Sequence, residues 1–208
     1  MKPLHPTPSE LDALLEGKCS AIVRPIKPQP TEKGRIAFLV DQPSRFVDIR
    51  ESQDFHGKSE IVNQWNSPFG SAGTILWCKE TWQYDFKIED ESDSEKIFFH
   101  KHSWPNYPMN SGQYWLSPAV MPKAACRLWL EVVDVKVCRV QELTNEETIG
   151  FGHYPMPHRC EQSWPFDSHR DAFRVLWNRE YGPRQLQLDK NPWIWYATVK
   201  RIDKPDNV

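Results

Sequence analysis

The chain predicts a mainly β fold of the α+β class with short flanking helices and long loops, on three observations. Apolar residues recur with a period of two in several short runs, most clearly at Trp193, Trp195, Ala197 and Val199. Eighteen prolines interrupt the 208 residues, and each removes a backbone donor, which leaves little room for long helices. Ten Trp, ten Phe and six Tyr supply rings large enough to fill the space between short elements. A chain of this length buries a sizeable core, and no repeat or linker divides it, so one domain over residues 1–208 is expected.

The elements follow in order. Ser9 precedes Glu10, Leu11, Leu14 and Leu15, an N-cap ahead of helical spacing, and Gly17 supplies the stop. Residues 20–24 then read as a strand, and the proline-rich stretch Pro25 to Pro30 ends it, so Arg24 falls at a strand end. Weaker strands are expected at Arg35 to Val40 and Phe46 to Arg50, whereas Glu51 to Ser71 is polar without a period and receives no element. Thr74 to Tyr84 reads as one strand, buried on both faces through Ile75, Leu76, Trp77 and Cys78 until Lys79 and Glu80 bring charge into it. Ile97 to His100 adds a strand, and Trp104 to Trp115, rich in Pro, Asn and aromatic residues, reads as a ligand-facing loop.

Along Arg127 to Val140 the inward series Leu128, Leu130, Val132 gives way to Val133, Val135, Val137. A period of two changes face only where a residue is inserted, so a bulge is expected near Val132. Thr144 and Glu147 stand at capping-box spacing, and Ser168 precedes the helical series Ala172, Phe173, Leu176, Trp177, with Gly150 and Gly182 as stops. The run from Trp193 returns the chain to a sheet. Many short strands with few helices predict a closed or half-closed barrel.

Composition narrows the function classes. No run of eighteen apolar residues occurs, and MKPLHPTPSE has neither an apolar signal core nor a small-residue cleavage site, so no membrane partner and no secretion are expected. Cys19, Cys78, Cys126, Cys138 and Cys160 form an odd, widely spaced set without a CxxC pair, which fits a reduced, cytoplasmic setting. Setting aside Glu89, Asp90, Glu91, Asp93 and Glu95, read as a solvated loop, turns the formal charge from −2 to +3. Contact with a polyanion should therefore be local. The segment His153 to Cys160 holds three potential metal ligands but lacks a fourth partner at zinc spacing, and no metal or other cofactor is expected. Neither a Gly-rich phosphate loop nor a nucleophile elbow is present.

Four segments carry a family likeness. They are Leu14-Leu15-Glu16-Gly17-Lys18 continuing to Arg24-Pro25-Ile26-Lys27-Pro28-Gln29-Pro30; Gly73-Thr74-Ile75-Leu76-Trp77-Cys78-Lys79-Glu80-Thr81-Trp82; Ser117-Pro118-Ala119-Val120-Met121-Pro122 with Arg127; and Leu176-Trp177 with Asn191-Pro192-Trp193-Ile194-Trp195. In these segments and their order the chain resembles the ASCH domain family of the PUA-like superfamily, and within it the ASCH-like proteins of bacteriophages and prophages. The resemblance implies a small PUA-like β-barrel with a cleft. It also implies RNA binding, RNA cleavage or amide hydrolysis on modified nucleosides, according to the member.

The family motif Gly-x-Lys-x-x-Thr-x-Arg reads here Gly17-Lys18-Cys19-Ser20-Ala21-Ile22-Val23-Arg24, so Cys19 and Ile22 replace the Lys and the Thr. A lysine of lowered pKa can serve as base or nucleophile, and Ile22 can do neither, so no catalytic residue is assigned. The expected function is binding of RNA or a modified nucleotide. Arg24, Lys27, Lys123 and Arg127 are the candidate clamps for phosphate or ribose, Glu80 the acceptor for a base edge, and Trp82 the stacking face. Each has a plainer reading: solubility for the cations, an ion pair for Glu80, core packing for Trp82. A hydrolase acting on a modified nucleoside or RNA is the alternative, and a phage–host protein-interaction module a weaker one.

Overall fold

The structure is a computed structural model that describes residues 1–30, 35–39, 42–51, 59–88, 94–109, 112–152 and 168–206. Its strands and α-helices run β1 (Lys2–Leu4), α1 (Pro8–Leu15), β2 (Ala21–Pro25), β3 (Arg35–Leu39), β4 (Gln42–Glu51), β5 (Ser59–Asn66), β6 (Ile75–Cys78), β7 (Trp82–Ile88), β8 (Ser94–His100), β9 (Trp129–Arg139), α2 (Asn145–Ile149), α3 (His169–Tyr181) and β10 (Trp193–Ile202). The fold is mainly β. A five-stranded sheet of order β1-β6-β9-β10-β2 is accompanied by a three-stranded sheet β3-β4-β5 and the hairpin β7-β8. All pairs are antiparallel except β1 with β6. The large sheet is open, with β1 and β2 as its edges.

Strand periodicity sorts the side chains to two faces. From β10, Trp195, Ala197 and Val199 enter one core with Leu76, Leu130 and α1's Leu11 and Leu14. Ile194 and Tyr196 enter another with Val23, Phe151, Phe173 and Trp177, so α3 covers the opposite face. The three-stranded sheet joins the first core through Phe46, whose ring stacks on Trp65 at 4.8 Å and meets Trp195 edge-on at 5.0 Å. The expected bulge is present: Thr198 pairs with Asp134 but Val199 with Val132, leaving Val133 unpaired and 49% exposed. The bulge keeps Val135 and Val137 packed against the core that Leu128, Leu130 and Val132 enter.

Four elements differ from the sequence reading, among them β1, which no sequence pattern assigned. The first helix is capped by Thr7, not Ser9: Pro8 takes the first turn, Glu10 N donates to Thr7 Oγ1, and Thr7 N donates to Glu10 Oε2 at 2.8 Å. The expected strand Thr74 to Tyr84 is two strands in different sheets. Between them Lys79 N donates to Leu4 O at 2.8 Å and Trp82 N to Leu116 O at 3.2 Å, which turns the chain out of the large sheet where its charge begins. The stretch left unassigned contains β5, a partner of β4 that alternates a buried Trp65 with an exposed Asn66. The caps at Thr144 and Ser168 and the stops at Gly150 and Gly182 stand as expected, and Gly17, at φ +70°, ends α1 in the left-handed region. Most of the acidic run, and all of His153 to Cys160, lies outside the described residues. Among the described residues no helix is long and apolar enough to cross a membrane.

Candidate functional site

On β2 the sequence Ile22-Val23-Arg24 alternates faces, and Arg24 reaches the end of the sheet where the chain between β1 and α1 crosses. Its guanidinium meets Glu10 through two bonds, Nη1 to Oε1 at 2.6 Å and Nη2 to Oε2 at 2.9 Å. It also donates to His5 O at 2.9 Å and Val23 O at 2.7 Å. The pair is largely withdrawn from water, with side chains 19% and 8% exposed. Burial opposes the charge on Arg24, but Glu10 and the Tyr181 hydroxyl outweigh it and hold the guanidinium more firmly protonated than usual. Since His5 follows β1 and Arg24 lies on β2, this side chain links the two open edges of the large sheet.

Beside that link lies a cleft of about 430 Å³ whose walls include His5, Arg24, Lys27, Glu180, Tyr181 and Arg184. Lys27 follows β2 and is exposed, with no ion-pair partner among the described residues. Arg184 stands 3.6 Å from Glu180, one turn along, a solvent-exposed pair of small energetic value. Partial burial, then the charges of Lys79 and Arg24, lower the pKa of His5 from 6.5.

The other candidates divide from this pair. Glu80, with a side chain 2% exposed, accepts from Arg127 Nε and Nη2 at 2.8 Å each, and Arg127 Nη1 donates to Ser103 Oγ at 2.7 Å. That bidentate pair uses the carboxylate the sequence reading offered to a base. Trp82 is 6% exposed and packs against Tyr84 and Phe98, at centroid distances of 5.9 and 6.0 Å, within the cluster of Trp77, Met121 and Trp129. Its core reading therefore fits the geometry, and a stacking role would require these rings to part. Lys123 is exposed, its ammonium 3.7 Å from Met1 Sδ, and does not line the cleft. The strands flanking Arg24, Glu80 and Arg127 do share one sheet.

Sequence reasoning passed over four residues: Glu10, His5, Arg184 and His100. The pattern Thr7-Pro8-Ser9-Glu10 is a capping box and could have fixed the direction of Glu10. Nothing in the sequence marks His5 or Arg184.

No protein-family model, curated protein or solved structure matches the chain. Among the described residues no group of three or more His, Cys, Asp and Glu is placed to hold a metal ion.

His100 sits beside the Glu80–Arg127 pair, 8% exposed, with Nε2 2.8 Å from Ala125 O and 3.9 Å from Glu80 Oε1. Donation to the carbonyl requires the proton on Nε2. Burial lowers its pKa from 6.5 and, with help from Arg127, outweighs the bond to Ala125 O and the Glu80 carboxylate, which raise it. The folded state thus keeps the ring neutral while the unfolded chain takes up a proton. The stability that follows is complete above about 6.5 and is lost as pH falls from there toward the folded value. Denaturant titrations stepped downward from neutrality should show this loss, and His100→Gln, which retains a donor and cannot titrate, should show a shallower one. Equal slopes for both proteins would refute the assignment.

Proposed function

We propose that the chain is a PUA-like, ASCH-related module that binds RNA or a modified nucleotide in the cleft beside Arg24 and Lys27. The observation that carries this reading is the unpaired ammonium of Lys27, held near His5, Arg24 and Arg184 on one concave wall. Glu10 neutralises Arg24 and Glu180 partly neutralises Arg184, which leaves Lys27 as the cation free to meet a phosphate. The Arg24 bridge between the edge strands β1 and β2 supports the half-closed form of the barrel expected from the many short strands. Binding is favoured over hydrolysis by the residues at the two departures from the family motif. Burial pushes the Cys19 thiol up to about 12, and Ile22 is fully buried in the core, so neither supplies a base or nucleophile at neutral pH.

Fluorescence anisotropy with labelled single-stranded RNA and DNA at several salt concentrations tests the proposal. Affinity should fall with salt at a shallow slope, and Lys27→Ala should reduce that slope by about 0.7, the contribution of one phosphate contact on a single strand. Lys123→Ala should leave it unchanged, because Lys123 stands off the cleft. No binding by the folded protein, or a Lys27→Ala variant indistinguishable from wild type, would refute it.

A further inference from the structure

A second chamber, of about 310 Å³, lies between the start of α1 and α3, and Thr7, Glu180 and Tyr181 stand on the walls of both spaces. The two spaces adjoin at these residues, but their chemistry differs. The outer space carries His5, Lys27 and Arg184, whereas the inner one is faced by Val23, Phe173, Leu176 and Trp177. Its aromatic wall is already packed. Phe151 stacks on Phe173 at 4.7 Å, Phe173 meets Trp177 at 5.8 Å and Trp177 meets Tyr181 at 4.5 Å. A space so walled keeps its shape when empty, which spares a ligand the cost of ordering it.

We propose that cleft and chamber form one bipartite site for a single nucleoside phosphate, with the phosphate beside Lys27 and the base against the apolar wall of the chamber. The inference rests on the anion-binding reading of the cleft and adds which part of the ligand goes where. A phosphate loses strong hydration and requires cations in return, and a base offers apolar faces with a few polar atoms at its rim. The two spaces offer these surroundings side by side. Glu180 also stands on the chamber wall, and its carboxylate, an acceptor only, suits a base bearing an exocyclic amine. Cytidine 5′-monophosphate is accordingly the probe of choice. The inner space, of about 310 Å³, has room for one base.

Isothermal titration calorimetry separates the two halves by comparing cytidine 5′-monophosphate with cytidine, ribose 5-phosphate and an oligocytidylate. The monophosphate should bind at least about tenfold more tightly than either fragment, and the oligocytidylate no more than about threefold more tightly than the monophosphate. Leu176→Trp and Ser9→Trp each fill the chamber from one wall. Both should reduce monophosphate affinity to that of ribose 5-phosphate while leaving ribose 5-phosphate itself unaffected. Lys27→Ala should weaken the monophosphate and ribose 5-phosphate and spare cytidine. Circular dichroism checks each fold, and if one chamber-filling variant fails to fold the other decides. Monophosphate binding that survives chamber filling but falls with Lys27→Ala would overturn the base subsite and leave the anion site standing, as would an oligocytidylate bound tenfold more tightly. A folded wild type that binds neither the monophosphate nor ribose 5-phosphate would remove both readings.

Discussion

Arg24→Ala should cost about 3–5 kcal/mol of folding stability, read as a lower denaturation midpoint in urea at unchanged slope. The loss arises mostly from what remains behind. Glu10, with its side chain 8% exposed, would keep a carboxylate that lost both of its guanidinium bonds. The same substitution removes the donor to His5 O and so the link between the two edge strands of the large sheet. Replacing both partners, Arg24→Met with Glu10→Leu, removes the charge with its counter-charge and should recover much of the loss. A single variant that loses less than about 1 kcal/mol would mean that water reaches the pair freely and that it behaves as a surface bridge.

Arg127→Ala should be destabilising on a similar scale, about 3 kcal/mol, because Glu80 is the more deeply buried carboxylate, 2% exposed. Arg127 itself is 29% exposed, so hydration of the guanidinium moderates the loss. Glu80→Gln preserves shape and one acceptor, and should cost less than Arg127→Ala. A double-mutant cycle between the two positions should return a coupling of about 1–3 kcal/mol. Additive losses would show that the two side chains act independently despite their 2.8 Å bonds. The salt slope of ligand binding should not change in a folded Arg127→Ala variant. That result would separate this pair from the cleft, where sequence reasoning had joined them.

The sequence was most informative where a local rule has one structural solution. The change of inward face along Arg127 to Val140 demands an extra residue, and Val133 is that residue. Thr144 with Glu147, and Ser168 ahead of Ala172, have cap chemistry that only a helix start satisfies. The site was less legible, because its contacts are between segments far apart in the chain. Glu80 and Arg127 lie 47 residues apart, and nothing local indicates that they pair with each other rather than with a ligand. Trp82 looks the same in sequence whether its ring ends a strand in solvent or is enclosed by Tyr84 and Phe98. Lys27 and Arg24 could be placed together, since they flank one strand end. Arg184, which completes their wall, arrives from the far end of α3.

The edge strands of the large sheet bear on how this protein meets other chains. β1 has three residues with Pro3 at its centre, and β2 has five with Pro25 at its end. A proline has no N–H to offer, so each edge is short and interrupted as a template for a foreign strand. Sheet extension from one molecule to the next, the common route to ordered aggregation through open edges, has little purchase on either side. A polypeptide partner of this sheet would have to be recognised by side chains on its surfaces and not by main-chain pairing along its borders.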